Sequence, residues 1–249
     1  MVHPTGLKAL LAVVWIVLGV CPLSCAKEND TAELDWEAQR DGMVDMLVSR
    51  WDLKDERVIA AMRNTPRHLF VPEEVRAYAY LDTPLPIGHE QTISAPSIVA
   101  LMTELLKPEP EHIVLEVGTG SGYQAAVLAP LVKHVYTIEI VEALANSARN
   151  ILRRLGYENV SVRAGDGYRG WPSEAPFDSI IVTCAPNRIP EPLVEQLREG
   201  GRMVIPVGEE KGPQELYVLT KERGEIVKRS VLPVIFVPMR GEIQQQKSQ

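Results

Sequence analysis

The sequence predicts an α/β fold, a doubly wound and mostly parallel seven-stranded sheet preceded by an N-terminal helical extension. Apolar runs alternate with helical patterns over residues 111–240, and this alternation is typical of parallel sheets with right-handed crossovers. The run at residues 113–117 leads directly into a glycine-rich turn at 118–122. The length of 249 residues, with 45% hydrophobic and 24% charged residues, suffices for one buried core.

The first 26 residues are predicted to be a leader outside the fold. A lysine precedes an unbroken apolar stretch at residues 9–20, and residues 24–26 offer the small side chains of a cleavage site. Acidic residues follow and favour export of the downstream chain. We therefore expect an exported or periplasmic protein, with no stable membrane insertion once a signal-peptide-like leader at residues 1–26 is removed. A translation start at Met43 or Met46 is the alternative.

Two helices are predicted within residues 33–63, ahead of the sheet. Asp55 is placed to cap the second helix, and Pro66 must end it because proline cannot continue a helix. Together with the loop and helix that follow, these elements make residues 33–110 an N-terminal portion of the domain.

A polar loop precedes the third helix. Two prolines and a glycine indicate a loop over residues 84–96, and Gln91, Thr92 and Ser94 supply amide and hydroxyl groups there. Pro96 occupies the first turn of the helix that follows. Thr92 and Ser94 act either as helix caps or in catalysis, and their spacing alone favours capping.

The glycine-rich turn is a candidate ligand site, because backbone N–H groups are free at a helix start and glycines allow close approach. Glu139 ends the next apolar run, 21 residues after Gly118, where a carboxylate can accept both ribose hydroxyls. Asp166 follows a third run, and an acidic residue there can reach an adenine edge. The glycine run alone is a weak signal, but the three turns together predict a nucleotide-type ligand.

The remaining elements complete a single domain at residues 27–240, with its α/β core at 111–240. Strand-like runs lie at residues 113–117, 135–140, 160–164, 179–184, 202–206, 216–220 and 231–237. Helical patterns lie at residues 123–132, 142–155 and 190–199. The polar, glutamine-rich residues 241–249 are predicted to be a disordered tail.

Charge and cysteine content disfavour several classes of function. The net charge is −7 and no block is rich in lysine or arginine, so we expect no nucleic-acid partner. Cys184 is the only cysteine downstream of the leader, which leaves no intramolecular disulfide and no metal-ligand spacing. We expect Cys184 to be a small core thiol rather than a nucleophile, and we expect no metal.

From about Arg40 to Arg240, the chain resembles the protein-L-isoaspartate (D-aspartate) O-methyltransferase family. The resemblance is carried by residues 66–72, 85–88, 91–94, 115–124, 165–167, 175–178, 196–197, 200–202 and 205–208. The Thr-Ile-Ser loop at 92–94 and the Gly-Asp-Gly turn at 165–167 are specific to this family, whereas most S-adenosylmethionine enzymes share the glycine loop.

This resemblance implies a methyltransferase-type fold with S-adenosyl-L-methionine as methyl donor and isoaspartyl-containing proteins and peptides as partners. The transfer to an L-isoaspartyl, and also a D-aspartyl, carboxylate is a repair reaction. The implied catalytic residue is Ser94. The implied cofactor contacts are Gln91, Thr92 and Ile93 beside it, Gly118, Gly120 and Ser121 at the methionine portion, Glu139 at the ribose, Asp166 and Gly167 at the adenine, and Gln214. We expect a monomer.

The chemistry implied by the resemblance needs no strong general base, because the acceptor carboxylate is ionised near neutral pH. The enzyme's remaining task is to hold that carboxylate in line with the methyl group. Such orientation lowers the activation barrier by up to roughly 7–11 kcal/mol in favourable cases. Glu90, Ala95 and Cys184 depart from the common family pattern, and Glu90 stands where glycine is usual. Its negative charge near an anionic substrate is expected to weaken binding or change peptide preference.

Alternatives remain open from the sequence. A different S-adenosylmethionine methyltransferase, acting on nucleic acid, a small molecule or another protein carboxylate, would share the glycine loop and Glu139 but would not require residues 91–94. A nicotinamide-dependent oxidoreductase would place the third glycine one residue after Gly122. A binding module could retain the cofactor site without activity. The cytoplasm is the alternative location, because it is the family norm and the source of the cofactor.

Overall fold

A computed structural model of the chain describes residues 35–210 and 212–245. The predicted leader at residues 1–26 lies outside the described residues. Within the described ranges, no helix is both long and apolar enough to cross a membrane.

The N-terminal portion starts with the two predicted helices, α1 at Trp36–Trp51 and α2 at Glu56–Asn64. Side chains of acidic residues cap both: Asp35 accepts from the N–H of Ala38, and Asp55 accepts from the N–H of Arg57. The predicted cap at Asp55 is therefore confirmed, and α2 ends two residues before Pro66. Short 3-10 helices follow at Arg67–Phe70 and Glu73–Tyr78.

A buried arginine holds this irregular stretch together. Arg67 is fully buried, and its Nε donates to the carbonyl of Ala79 at 2.8 Å. Its guanidinium also lies 4.9 Å from the ring centroid of Tyr123, a helix residue of the core domain. Burial lowers the pKa of Arg67 to about 10, so the group stays charged at neutral pH. The cation–π contact partly offsets its lost hydration.

The predicted loop contains a β-hairpin of β1, Leu85–Gly88, and β2, Gln91–Ile93. Leu85 and Ile87 point into the core while the alternate residues are exposed, which is the period of a half-buried strand. Helix α3, Pro96–Leu106, starts at proline as predicted. The hairpin and α3 together carry residues 91–95 towards the sheet.

Seven strands form the central sheet, in the order β5-β4-β3-β6-β7-β8-β9. They are β3 at Ile113–Val117, β4 at His134–Glu139, β5 at Val160–Ala164, β6 at Phe177–Val182, β7 at Leu197–Gly208, β8 at Gln214–Glu222 and β9 at Glu225–Val234. The pairings from β5 to β7 are parallel, and β8 is antiparallel to both of its neighbours. Helices α4 at Tyr123–Leu128, α5 at Glu142–Arg154 and α6 at Glu191–Gln196 connect the parallel strands. The predicted doubly wound sheet is confirmed.

The order of the strands reverses beside β3. The chain adds β4 and β5 on one side of β3, then returns to place β6 and β7 on the other. In such sheets, ligands bind in the crevice at the carboxyl ends of the strands next to the reversal. The residues that follow β3 and β6 therefore face a crevice.

Several boundaries differ from the sequence-based expectations. The last strand, predicted at residues 231–237, is Glu225–Val234, and the helix predicted at 123–132 ends at Leu128 before a 3-10 turn at Ala129–Leu131. The helix predicted at residues 190–199 ends at Gln196, because Leu197 already pairs with Phe177 at the start of β7. The predicted disordered tail is wrong for residues 241–245: Glu242–Gln245 form a short helix, α7, and Ile243 is 2% exposed. Ile243 packs in the same apolar cluster as Met239. Residues 246–249 lie outside the described residues.

Replacing Ile243 tests the ordered C-terminal segment. Ile243→Ala removes a buried side chain and is expected to lower the free energy of unfolding by about 2–3 kcal/mol, measured by urea denaturation. The exposed neighbour provides the control: Gln244→Ala should change stability by less than about 0.5 kcal/mol. Equal stabilities for the two variants would contradict the packing of α7.

Candidate functional site

A cleft with an empty volume of about 760 Å³ opens at the carboxyl ends of β3, β4 and β6. Nine of the eleven predicted site residues line it, namely Gln91, Thr92, Ile93, Ser94, Gly118, Gly120, Ser121, Glu139 and Gly167. The structure thus brings together the polar loop before α3 and the turns that follow β3, β4 and β5.

The glycine loop is fixed by a threonine from β6's carboxyl end. Gly118 has a φ of +99°, and a Cβ there would lie 2.5 Å from the Thr183 hydroxyl oxygen. That hydroxyl is 2.7 Å from the carbonyl oxygen of Gly118 and donates to it. Only glycine fits this backbone conformation together with this contact. The loop is therefore held with its backbone close to the cleft.

Glu139 joins the glycine loop to the end of β4. Its carboxylate accepts from the N–H of Gly120 at 2.8 Å and from the N–H of Val141 at 2.9 Å. The residue is 6% exposed and lines the cleft. A carboxylate has about four acceptor positions, so two bonds to the backbone leave capacity for hydroxyl donors of a ligand.

Ser94 is not a helix cap. The capping residue of α3 is Ala95, which makes no side-chain cap bond. Instead, the carboxylate of Asp82 accepts from the N–H of Ser97 at 2.9 Å. Within the described chain, no hydrogen bond engages the Ser94 hydroxyl, although the residue lines the cleft. The capping interpretation is wrong, and the hydroxyl is available to a ligand.

Asp166 and Gln214 do not line the cleft. Asp166 accepts from the N–H of Tyr168 at 2.9 Å and from the N–H of Glu242 at 2.8 Å, which ties the Gly-Asp-Gly turn to the C-terminal segment. Both ends of the Gln214 amide bind the backbone of Phe236, at 2.6 Å to its N–H and 3.1 Å to its carbonyl. Each side chain therefore shapes a segment next to the cleft.

Sequence reasoning missed the C-terminal side of the cleft, residues 237–240. This segment crosses the end of β6, where the carbonyls and N–H groups of Val237, Ala185 and Met239 exchange bonds of 2.8 Å. Its signal in the sequence is the apolar run that continues past the predicted last strand to Met239. The sequence alone does not show that this run lines the cleft, because its position depends on the bonds to Ala185 at the end of β6.

Cys184 also lines the cleft. Burial raises the pKa of its thiol, and the nearby carboxylates of Glu139 and Asp166 raise it further. A thiol with a raised pKa stays protonated and is a poor nucleophile. In the part of the chain that the structure describes, no group of three or more His, Cys, Asp or Glu residues could hold a metal ion.

A second carboxyl group lies buried beneath the glycine loop. Glu116, on β3, is fully buried, and neither of its oxygens has a hydrogen-bond partner among the described residues. Burial raises the pKa of Glu116 from its ordinary value of 4.5 to about 8; the nearby Thr137 opposes this rise and the Glu139 carboxylate adds to it. The side chain is therefore neutral at pH 7, as an unpaired buried carboxyl should be.

Comparisons with known proteins point to one family. The family described as protein-L-isoaspartate(D-aspartate) O-methyltransferase (PCMT) matches residues 38–244. Protein-L-isoaspartate O-methyltransferase 2 of a Polaromonas species is 58% identical over 189 residues, covering 76% of this chain and 90% of the relative. Protein-L-isoaspartate O-methyltransferase 1 of Nitrosospira multiformis is 50% identical over 225 residues, covering 89% and 92%.

Solved structures agree with the sequence comparisons. One protein-L-isoaspartate O-methyltransferase matches with a TM-score of 0.76 at 30% identity, over 82% of this chain and 67% of the other. Another, described as a beta-aspartate methyltransferase from Plasmodium falciparum in complex with S-adenosyl-L-homocysteine, matches with a TM-score of 0.70 at 29% identity. It covers 81% of this chain and 98% of the other. The family resemblance stated from the sequence is confirmed.

The raised pKa of Glu116 predicts a pH-dependent stability. The folded-state pKa of about 8 lies above the unfolded value near 4.5, so the folded state retains a proton that the unfolded state releases. Stability should therefore fall as pH rises from about 4.5 to 8, by about 1.4 kcal/mol per unit of pKa difference when complete.

Glu116→Gln removes this ionisation without changing the shape of the side chain. Urea unfolding at pH 5 and pH 8 should show a smaller loss of stability in this variant than in the unaltered protein. Glu111→Gln, at an exposed position just before β3, is the matched control and should behave as the unaltered protein does. Parallel pH profiles for all three proteins would contradict a neutral Glu116.

Proposed function

Because this chain belongs to the protein-L-isoaspartate (D-aspartate) O-methyltransferase family, we propose that its cleft holds S-adenosyl-L-methionine and that Ser94 orients the acceptor carboxylate. The protein is an S-adenosylmethionine-dependent repair enzyme that methylates isoaspartyl carboxylates in damaged proteins. The roles of individual residues are the subject of the proposal.

The residues of the cleft fit this donor. Gly118 and Gly120, at positive φ, bring the backbone of the first turn close to the cleft, where its polar groups suit the amino-acid portion. The buried Glu139 carboxylate suits a ribose diol, because it retains acceptor capacity beside its two backbone bonds. Gly167 lines the cleft at the third turn, where a Cβ would lie 2.4 Å from the Val117 side chain. Gly167 remains our proposed adenine contact. Asp166 lies just outside the cleft lining, and we propose that it reaches the adenine edge with the acceptor capacity left beside its bonds from Tyr168 and Glu242.

Gln214 is proposed to act on the same ligand indirectly. Its two bonds to Phe236 fix the start of the segment that continues to residues 237–240 of the cleft wall. A side chain engaged at both ends of its amide has little capacity left for a ligand.

The bound donor supplies a methyl group already activated by a sulfonium. The chain's part is orientation: Ser94, by its hydroxyl or its N–H, directs an ionised carboxylate towards that methyl. No strong general base is required, since the acceptor carries no proton near neutral pH.

One observation carries the proposal. Residues 91–94, at the end of the β1–β2 hairpin, line the same cleft as the glycine loop and Glu139. The Glu139 carboxylate alone would also suit the ribose of a nicotinamide cofactor, although Gly122 comes one residue early for the glycine pattern of that class. A hydroxyl-bearing segment opposite the glycine loop and Glu139, with a serine whose hydroxyl is unengaged in the described chain, suits the placement of an acceptor carboxylate.

Peptide pairs test the proposed reaction. Labelled S-adenosylmethionine should transfer its methyl to a peptide containing L-isoaspartate and not to the same peptide containing L-aspartate; a D-aspartyl peptide tests the proposed second acceptor. Transfer to neither isomer, or to both equally, would contradict the proposal. Calorimetry with S-adenosylhomocysteine and with NADH separates the methyltransferase from the oxidoreductase alternative.

Ser94→Ala tests the catalytic assignment. Turnover of the isoaspartyl peptide should fall at least about tenfold, while the dissociation constant of S-adenosylhomocysteine stays within about twofold, because the serine acts on the acceptor. Ser173→Ala, at an exposed position remote from the cleft lining, should leave both values unchanged. Near-normal turnover in Ser94→Ala would show that the Ser94 hydroxyl does not orient the acceptor carboxylate.

Glu139→Gln tests the ribose assignment. The substitution keeps the size of the side chain but removes its charge and replaces one acceptor oxygen with an NH2 donor, so one of the bonds from Gly120 and Val141 is lost. Charge-assisted hydrogen bonds to the ligand weaken by about 1–2 kcal/mol, and S-adenosylhomocysteine should bind at least about tenfold more weakly by calorimetry. The exposed Glu142, three residues later, gives the matched control Glu142→Gln, with unchanged affinity. Equal affinities in both variants would show that Glu139 does not contact the ligand.

Location and assembly are proposed from the sequence alone. We propose that residues 1–26 direct export, with the cytoplasm as the alternative, and that the protein is a monomer without nucleic-acid partners. Mass spectrometry of the N-terminus of the native protein, and light scattering of the purified protein, test these proposals. An unprocessed N-terminus would contradict export, and a dimer mass would contradict the monomer.

A further inference from the structure

An ion pair connects the two rims of the cleft. The guanidinium of Arg240 lies 3.2 Å from the carboxylate of Glu90. Glu90 is in the turn between β1 and β2, directly before Gln91, and Arg240 ends the C-terminal segment that lines the cleft. Among the cleft residues in the described ranges, Arg240 is the only basic one. The pair therefore lies at the edge of the cleft that Ser94 also lines.

The backbone at Glu90 does not favour a glutamate. His89 and Glu90 have φ values of +52° and +59°, the left-handed region that two-residue hairpin turns require. Glycine and asparagine adopt this conformation with less strain than glutamate does. Local folding thus gives no reason for a carboxylate here. What the side chain contributes is its charge, which is directed to Arg240 and to solvent.

The two charges differ in their access to a ligand. The side chain of Glu90 is 88% exposed, whereas that of Arg240 is 37% exposed. An incoming peptide therefore meets the negative partner first. An ion pair this exposed is weak, so either partner can exchange its contact for one with a substrate side chain.

We infer that Glu90 and Arg240 determine peptide preference, with Glu90 favouring basic residues that flank the isoaspartate and disfavouring acidic ones. This inference rests on the proposed function, because it assumes that Ser94 meets the acceptor. Residues 91–93 form a strand between Glu90 and Ser94, so the two are separated by at most about 13 Å. The residue that the pair contacts is therefore within about four positions of the isoaspartate in an extended peptide.

Glu90 acts in part by neutralising Arg240. Substitutions of the two partners should therefore shift the preference for charged flanking residues in opposite directions. With Glu90→Gln, the arginine is left without its carboxylate and becomes the accessible charge, so acidic flanks become favourable. With Arg240→Gln, the carboxylate is left uncompensated, so the preference for basic flanks increases. If the ion pair served only to hold the hairpin against the C-terminal segment, both substitutions would change the affinity for every peptide in the same direction.

The test uses isoaspartyl peptides that differ only in Lys or Glu at the third and fourth positions on each side of the isoaspartate. Their dissociation constants are measured by fluorescence anisotropy with saturating S-adenosylhomocysteine, and their KM and kcat by methyl transfer. At low salt, the unaltered protein should bind the Lys peptides about two- to fivefold more tightly. The preference should disappear near 0.5 M salt, where exposed charges are screened.

Glu90→Gln should reverse the order of the two peptide classes, Arg240→Gln should widen the difference, and the double variant should show none. Glu90→Gly, which suits the turn, should reproduce Glu90→Gln. Because the charges act on binding far from the reacting atoms, KM should change while kcat stays within about twofold.

Equal binding of the two peptide classes by the unaltered protein, or parallel shifts in the two single variants, would overturn the inference. These outcomes leave the proposed function intact if isoaspartyl peptides are still methylated. Failure of the unaltered protein to methylate any isoaspartyl peptide would overturn both.

Discussion

The Glu139 carboxylate holds two backbone segments together, and the geometry of the cleft depends on this contact. One oxygen accepts from Gly120 in the loop after β3, and the other accepts from Val141 at the start of α5. Thr183 completes the arrangement from β6 through its bond to the Gly118 carbonyl. Three neighbouring strands thus have their carboxyl ends tied to one loop. A loop fixed in this way presents its polar groups to a ligand without first having to be ordered.

The elements that precede the sheet supply the other half of the site. Arg67 stabilises the irregular stretch through the Ala79 carbonyl and the Tyr123 ring, and Asp82 caps α3 across 15 residues of chain. These contacts place the hairpin so that Ser94 faces the glycine loop with its hydroxyl unengaged within the described residues. Methyl transfer to a carboxylate requires orientation of the acceptor rather than removal of a proton. A rigidly placed segment such as residues 91–94 meets this requirement.

Local signals predicted much of this architecture, and long-range contacts account for what they missed. The cap at Asp55, the start of α3 at Pro96 and the seven strands follow from patterns within short windows. The β1–β2 hairpin escapes prediction because two prolines and a glycine within residues 84–96 indicate a loop, and its turn residues His89 and Glu90 are unusual at positive φ. The C-terminal helix was missed because a glutamine-rich composition resembles a disordered tail, while Ile243 packs against residues distant in sequence. The role of Thr183 likewise depends on a contact across 65 residues.

A crystal structure of the protein with S-adenosylhomocysteine and an isoaspartyl peptide tests the central claim most directly. The account predicts a ligand whose ribose hydroxyls bond to Glu139, with the sulfur directed at a carboxylate held within hydrogen-bonding distance of Ser94. A ligand bound outside the cleft, or a Ser94 side chain and N–H both directed away from the peptide carboxylate, would contradict it.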